Sequence, residues 1–252
     1  MEYPSTSLAE LTFSEGLKAS FKRIILEQRQ QKKLKERGFK PRRKILLYGP
    51  PGTGKTVTAS ALAKELSLPL FTIRLDGLIT KYMGETAAKL RQIFDAIMLT
   101  RGVYLFDEFD AIGGDRNAGN DVGEIRRVLN SFLHFFEKDC SDSLIIAATN
   151  FVKLLDNALF RRFDDVIEYS LPSQEQTISI LKNRVHDFKS SHISWDAIAS
   201  AAKNLSQAEI TRAADEAAKI AILNNSDFIS QESLAEAIKE RQLKHIISRD
   251  QI

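Results

Sequence analysis

The chain has 252 residues and a mass of 28.4 kDa, which suits one large domain or one domain with a smaller companion. Its 43% hydrophobic and 27% charged residues exclude wholesale disorder, and its single cysteine excludes a disulfide framework and a cysteine-rich zinc site. No apolar run is long enough to span a membrane, and residues 1–10 lack the layout of a secretory signal, so we expect a cytoplasmic protein.

The net charge of +3 is unevenly distributed along the chain. Residues 22–44 hold eleven basic residues against two acidic ones, whereas the rest of the chain has a net charge of −6. Such a basic segment beside a mildly acidic body raises the question of whether the protein binds nucleic acid.

Hydrophobic periodicity predicts a first helix at 17–34, ended by Gly38 and Pro41. Short apolar strands then alternate with helical segments. The strands are predicted at 45–48, 70–75, 103–106, 144–148 and 166–169, and the helices between them at 57–66, 85–99 and 122–136. Apolar strands that alternate with helices predict a parallel sheet flanked by helices, the α/β class.

Beyond Pro172 every segment has a helical period, and no further strand is expected. The helices are predicted at about 173–189, 194–203, 206–224 and 230–246. We therefore expect an N-terminal segment of undetermined structure at 1–15, an α/β domain at 16–170 and an all-helical lid at 171–252.

A glycine-rich turn between the first strand and its helix matches the phosphate-loop pattern G-x-x-x-x-G-K-[ST]. Backbone N–H groups of such a turn, with the helix N-terminus behind them, bind polyanionic phosphate. Lys55 is expected to reach the β- and γ-phosphates of ATP, and the Thr56 hydroxyl to ligate Mg²⁺. The predicted nucleotide-binding residues here are Gly49, Pro50, Pro51, Gly52, Thr53, Gly54, Lys55, Thr56 and Val57.

An acidic pair, Asp107 and Glu108, follows the third strand, at the strand end where sheets of this class place ligands. Asp107 can hold the magnesium through water beside Thr56, and Glu108 can orient or deprotonate the attacking water. Asp110 either joins this chemistry or caps the turn that follows.

Together these motifs resemble the AAA group of AAA+ ATPases, which have a P-loop NTPase sheet and a C-terminal helical lid. The segment 147–150 resembles the sensor-1 strand of that group, which implies that Asn150 touches the γ-phosphate or the lytic water. The segment 155–164 resembles its arginine-finger region. The resemblance implies that Arg161 or Arg162 reaches a neighbouring subunit of a hexameric ring, and we favour Arg162, with one of the two pairing to Asp164 or Asp165.

The resemblance extends to a loop that faces the central pore of the ring. Lys81, Tyr82 and Met83 match it, with Tyr82 at the position of the aromatic that grips a translocating polypeptide. An aromatic beside a flexible methionine can grip varied side chains. Packing of Tyr82 beneath its own loop is the alternative. A second pore loop is implied at 112–121, and the helix start at 124–127 is a candidate for subunit contacts.

The lid contains one departure from the family pattern. Gln207 stands where the family usually has glycine, and we expect a glutamine to take up room near the nucleotide. Its neighbour Ala208 is included among the nucleotide-binding residues.

The first hypothesis is an ATP-hydrolysing remodeller or unfoldase that acts on a polypeptide as a homo-oligomer. The alternatives are a nucleotide-controlled switch for an effector or protease, and an ATPase that acts on nucleic acid. For the basic segment 22–44 we favour an electrostatic contact between subunits, or simple solvation, over nucleic-acid binding, because no elements for base recognition are identifiable.

Overall fold

The computed structural model describes residues 1–75, 83–113, 121–151, 157–190 and 192–249. Contacts divide the chain into two compact units. The first consists of Met1–Leu11, Glu15–Gly49 and Lys55–Tyr169, and the second of Thr12–Ser14, Pro50–Gly54 and Ser170–Ile252.

The first unit is built on a five-stranded parallel sheet, as the alternation of strands and helices predicts. Its strands are β1 (Lys44–Tyr48), β2 (Leu70–Arg74), β3 (Val103–Asp107), β4 (Leu144–Thr149) and β5 (Asp165–Glu168). In space they follow the order β2-β3-β4-β1-β5. The carboxyl ends of β3, β4 and β1 therefore lie side by side at one edge, which is where parallel sheets bind their ligands.

Helices flank this sheet within the same unit. They are α1 (Glu15–Arg29), α2 (Gln31–Glu36), α3 (Lys55–Leu66), α4 (Met83–Leu99), α5 (Asp110–Gly113), α6 (Asp121–Lys138) and α7 (Asn157–Phe160). The predicted first helix is in fact two, because Gln30 lies between them with φ −102° and ψ 16°, outside the helical region. Just before this break, the buried side chain of Gln28 donates a hydrogen bond to the carbonyl of Arg42 at 2.6 Å.

Aromatic side chains anchor the acidic turn that follows β3. Phe106 and Phe109 stand on either side of Asp107 and Glu108 in the sequence, and both are fully buried. Their rings lie 5.2 Å and 5.0 Å from the ring of Phe132 on α6, in edge-on arrangements. Because both flanks of the turn are fixed in the core, the two carboxylates are held at the sheet edge.

The N-terminal segment lies along the outer strand of the sheet. Glu2 exchanges backbone hydrogen bonds of 2.9 and 2.8 Å with Leu70 in an antiparallel bridge. A 3₁₀ turn at Leu8–Glu10 follows, and Lys64 of α3 lies 3.7 Å from the carboxylate of Glu10. The segment partly covers the β2 edge, which would otherwise offer unpaired backbone groups.

The second unit has a helical core of its own. Its helices are α8 (Gln174–Arg184), α9 (Trp195–Ala201), α10 (Gln207–Leu223) and α11 (Gln231–Arg249). Small residues of α10, among them Ala213, Ala214 and Ala217, pack in one buried cluster with Leu234 and Ile238 of α11. The described helices include none that is both long enough and apolar enough to cross a membrane.

Candidate active site

The glycine-rich turn has a backbone that only glycine adopts readily. Gly49, Gly52 and Gly54 have φ values of 143°, 73° and 101°, in the region that other residues avoid. Space excludes larger residues as well: a Cβ added to Gly49 would lie 2.2 Å from the carbonyl oxygen of Tyr169. The sequence thus places glycine where the curled loop requires it.

Lys55 is the first residue of α3, and its side chain is only 7% exposed. Its ammonium group donates a hydrogen bond of 2.7 Å to the carbonyl of Gly49, which closes the turn. Burial lowers the pKa of Lys55 to about 8, against the opposing influence of the negative charges of Asp107 and Asp110. The lysine is therefore coupled electrostatically to the acidic residues at the same sheet edge.

Thr56 and Asp107 meet directly. The Thr56 hydroxyl donates a hydrogen bond of 2.9 Å to Oδ2 of Asp107, while Oδ1 accepts one of 3.0 Å from the backbone of Glu108. A hydroxyl and a carboxylate oxygen are ligands of the kind that Mg²⁺ prefers. In the described part of the chain no group of three or more His, Cys, Asp or Glu side chains could hold a metal.

Glu108 adopts a strained backbone at the end of the sheet, with φ 54°. Its carboxylate is about half exposed and lies 3.7 Å from the guanidinium of Arg74. Arg74 ends β2 and is paired in register with Asp107. Sequence reasoning did not find Arg74, because its position beside the acidic pair depends on the order of the strands.

Asn150 directly follows β4, and its side chain is exposed and has no hydrogen-bond partner in the described part of the chain. Its backbone N–H lies 3.4 Å from Oδ1 of Asp110. The structure therefore brings Lys55, Thr56, Asp107 and Asn150 to neighbouring strand ends.

A family model matches the half of the chain that holds this site. Residues 45–171, which contain the glycine-rich turn, the acidic pair and Asn150, match the ATPase family associated with various cellular activities, AAA. This chain belongs to the AAA family of ATPases.

Over the segments that align, several known proteins are about one third identical to the present AAA ATPase. It is 36% identical over 219 residues to an uncharacterized AAA family ATPase of Sinorhizobium fredii, covering 86% of this chain and 66% of the relative. It is 35% identical over 230 residues to a proteasome-activating nucleotidase of Sulfurisphaera tokodaii, covering 88% and 59%. It is 33% identical over 247 residues to an ATP-dependent zinc metalloprotease FtsH of Sulfurovum, covering 94% and 37%. The chain thus spans two thirds or less of each of these relatives.

Within the second unit of this AAA ATPase, the start of α10 packs on the glycine-rich turn. The N–H of Ala208 donates a hydrogen bond of 2.9 Å to the carbonyl of Gly52, and a Cβ at Gly52 would lie 2.5 Å from Oγ of Ser206. Gln207 Oε1 would lie 3.6 Å from a Cβ added to Gly54, an ordinary van der Waals distance. The end of the Gln207 side chain therefore lies close to Gly54 of the turn.

The two candidate finger arginines have different surroundings. Arg162 forms an ion pair with Glu137 of α6, whereas Arg161 is exposed and has no ion pair among the described residues. The ion pairs identified among the described residues do not include the expected pairing of one of these arginines with Asp164 or Asp165, and both aspartates have other partners there. Asp164 accepts hydrogen bonds from the backbone of Arg43 and Lys44, and Asp165 pairs with Arg23 and Arg42.

The predicted pore loops of this AAA ATPase lie largely beyond what the structure describes. Lys81 and Tyr82 are outside the described residues, and for Met83 only its place at the start of α4 is given. Residues 114–120 of the second loop are also outside.

The basic segment 22–44 contacts the acidic groups of its own chain. The bonds of Arg42 and Arg43 are part-buried: Arg42 pairs with Glu27, and Arg43 with Asp139. More exposed pairs join the segment to other parts of the first unit, namely Arg23–Asp165, Arg29–Glu65 and Lys35–Asp142. Among the described residues, five of the eleven basic side chains that suggested nucleic acid therefore form ion pairs within the chain.

Proposed function

We propose that this AAA ATPase is the motor of an oligomeric protein remodeller, in which ATP hydrolysis drives movement of a bound polypeptide. The observation that carries the proposal is the meeting of Lys55, Thr56, Asp107 and Glu108 at one edge of the sheet. This arrangement supplies a cation for phosphate, oxygen ligands for a metal and a carboxylate for water, which are the needs of phosphoryl transfer.

Each residue has a part in the hydrolysis. The ammonium of Lys55 binds the β- and γ-phosphates, and Asn150 orients the attacking water or the γ-phosphate. The oxygen of that water bonds to the γ-phosphorus, and Glu108 accepts the proton that the water loses. The bond between the γ-phosphorus and the β–γ bridging oxygen breaks, which gives ADP and phosphate. Thr56, and Asp107 through water, would hold a magnesium ion, which would supply positive charge to the phosphates.

Arg161 is the better candidate for the finger that enters a neighbouring subunit. Its exposed guanidinium is uncommitted within the described residues, whereas that of Arg162 is engaged with Glu137. A permanently charged, fork-shaped group suits the negative charge that develops during phosphoryl transfer. A finger supplied in trans requires an oligomer, and a hexameric ring is the assembly we propose.

The names of the relatives favour a polypeptide substrate. One is named for activating the proteasome and another as an ATP-dependent metalloprotease, so both names refer to proteolysis. We assign the grip on the polypeptide to the loop of Lys81, Tyr82 and Met83. A nucleotide-controlled partnership with a separate effector or protease is the second candidate.

The deciding experiment uses Glu108→Gln, which keeps the shape of the side chain but removes the base. We expect this variant to bind ATP and nearly to stop turnover, and affinity capture with ATP should retain the engaged polypeptide. Glu175→Gln, an exposed glutamate on α8, is the matched control and should hydrolyse ATP normally. Turnover at the wild-type rate in Glu108→Gln would refute the catalytic assignment.

Stimulation of the wild-type ATPase separates the possible substrates. Stimulation by unfolded protein supports remodelling, and stimulation by DNA or RNA would instead identify a nucleic-acid motor. A partner that stays bound in one nucleotide state, without such stimulation, would favour the switch.

A further inference from the structure

Asp110 stands three residues beyond Asp107 and begins the short helix α5. Its Oδ1 accepts a hydrogen bond of 2.8 Å from the Thr149 hydroxyl, and the backbone N–H of Asn150 lies 3.4 Å from the same oxygen. The donors are the last residue of β4 and the residue that directly follows it, and neither belongs to the helix that Asp110 begins. The carboxylate thus ties the acidic turn to the end of β4 and to Asn150.

Thr149 is the residue through which this tie reaches the rest of the site. It is 1% exposed, and its hydroxyl also accepts a hydrogen bond of 3.1 Å from the N–H of Phe151, on the far side of Asn150. Its carbonyl accepts one of 3.3 Å from the N–H of Gly49, the first residue of the glycine-rich turn. Thr149 therefore bonds to the acidic turn, to the phosphate-binding turn and to the chain that leaves the sheet.

A parallel contact fixes the same two segments. The N–H of Phe109 donates a hydrogen bond of 2.9 Å to the carbonyl of Ala148, and the Phe109 ring is fully buried. Backbone and side-chain bonds thus run side by side between residues 109–110 and residues 148–150. Hydrogen bonds therefore hold the backbone on both sides of Asn150, while its side chain stays exposed.

We propose that Asp110 and Thr149 form a positioning pair that holds Asn150 in place for ATP hydrolysis. The inference rests on the role of Asn150 given under Proposed function. A group that must act on water or phosphate has to be positioned to within a fraction of an ångström. A residue just past a strand end lacks the inter-strand backbone hydrogen bonds that would hold it. The carboxylate and hydroxyl supply that support, and neither needs to touch the nucleotide.

The carboxylate of Asp110 has a second, separable influence on the site. Its negative charge opposes the lowering of the Lys55 pKa that burial causes. Asparagine in its place keeps an oxygen that can accept from Thr149 and Asn150 but lacks the charge, whereas alanine removes both. Comparing the two substitutions therefore separates positioning from electrostatics.

The test measures kcat and nucleotide Kd for the full chain carrying Asp110→Ala or Thr149→Val. We expect kcat to fall about ten- to a hundredfold in both, as misplacement of a catalytic group predicts, with little change in Kd. Asp110→Asn and Thr149→Ser keep the acceptor and the donor and should restore most of kcat. Tyr104→Phe, which removes a hydrogen bond of 2.8 Å to the carbonyl of Thr100 within the core, should lower stability and leave kcat unchanged.

A double-mutant cycle with Asn150→Ala distinguishes positioning from a merely structural effect. If Asp110 acts through Asn150, adding Asp110→Ala to Asn150→Ala lowers kcat no further, whereas fully additive losses would overturn the inference. Wild-type kcat in Asp110→Ala and Thr149→Val, beside a large loss in Asn150→Ala, would overturn the inference and leave the proposed function standing. Wild-type kcat in Asn150→Ala would overturn the role of Asn150, and the inference with it.

Discussion

The hydroxyl of Thr56 donates a hydrogen bond of 2.9 Å to the carboxylate of Asp107, joining residues 51 positions apart in the chain. Thr56 is held there by the glycine-rich turn and α3, and Asp107 by its place at the end of β3. Two independent strand–turn units of a parallel sheet thus converge on one point. The oxygen atoms that suit magnesium are brought together by the fold itself.

Asp107→Asn should weaken binding of nucleotide with magnesium while leaving the fold intact. The amide still accepts a hydrogen bond from Thr56 but no longer carries the charge that holds the cation. Because we place Asp107 against the metal through water, we expect a loss of about ten- to a hundredfold in magnesium-dependent affinity. Titration of the protein with a fluorescent nucleotide, once in the presence of magnesium and once in the presence of EDTA, measures this loss of affinity.

The control is Asp142→Asn, an exposed carboxylate that pairs with Lys35 away from the site. It should preserve the difference between the two titrations. If magnesium strengthened nucleotide binding by Asp107→Asn as much as it does in the wild type, Asp107 would not be part of the metal site.

Two glycines should respond in opposite ways to alanine. Gly49→Ala places a Cβ 2.2 Å from the Tyr169 carbonyl at a φ of 143°, so we expect loss of stability and of nucleotide binding. Gly16, in α1, has no atom within 4 Å of the added Cβ, and Gly16→Ala should stabilise the chain by up to about 1 kcal/mol. Urea unfolding of both variants checks the signs, and equal effects would contradict the steric argument.

The sequence was sufficient to predict those parts of the site that depend on local chemistry. The glycines, Lys55 and Thr56 lie in one continuous turn between a strand and a helix, and Asp107 ends an apolar strand. Their spacing alone carries the pattern of a phosphate loop and an acidic strand end. The five strands were likewise visible as short apolar runs.

The partners of these residues could not be predicted in the same way. Arg74 meets Glu108 because β2 lies next to β3, and Arg162 meets Glu137 across 25 positions of the chain. The basic segment finds acidic partners as far away as Asp165. Such pairs leave no periodic trace in the sequence, because they depend on tertiary packing.

Nucleotide binding should take up a proton at alkaline pH through Lys55. The pKa of Lys55 is lowered by burial from an ordinary 10.5 to about 8, so at pH 9 most of these side chains are neutral. Phosphate charges favour the ammonium form and raise that pKa, so binding at pH 9 should take up close to one proton per site. At pH 7 the lysine is already mostly charged, and uptake should nearly vanish.

Calorimetry in buffers of different ionisation enthalpy measures this uptake. Lys55→Arg keeps a permanent charge and should abolish the pH 9 uptake in whatever binding it retains. Lys64→Arg, on the same helix, should leave it unchanged. Equal proton uptake at pH 7 and pH 9 would show that Lys55 is not the group responsible.

Arg161→Ala should lose ATPase activity by about 10³- to 10⁵-fold if Arg161 completes the site of a neighbouring subunit. Mixing this variant with Lys55→Ala subunits gives a decisive test. In mixed oligomers an intact nucleotide site of one subunit meets the intact Arg161 of the other, so activity should partly return. Two inactive variants that remain inactive when mixed would exclude action in trans.

Arg162 should behave differently, because its guanidinium binds Glu137 in the same chain. Glu137→Gln is the matched variant: it breaks the same ion pair but leaves both arginines in place. The exposed ion pair should contribute about 0–1 kcal/mol to the free energy of unfolding. Both Arg162→Ala and Glu137→Gln should therefore unfold at a slightly lower urea concentration than the wild type. Arg162 would be the finger instead if three results came together. Arg162→Ala would lose turnover while Glu137→Gln kept it. Mixing with Lys55→Ala subunits would restore turnover to Arg162→Ala but not to Arg161→Ala.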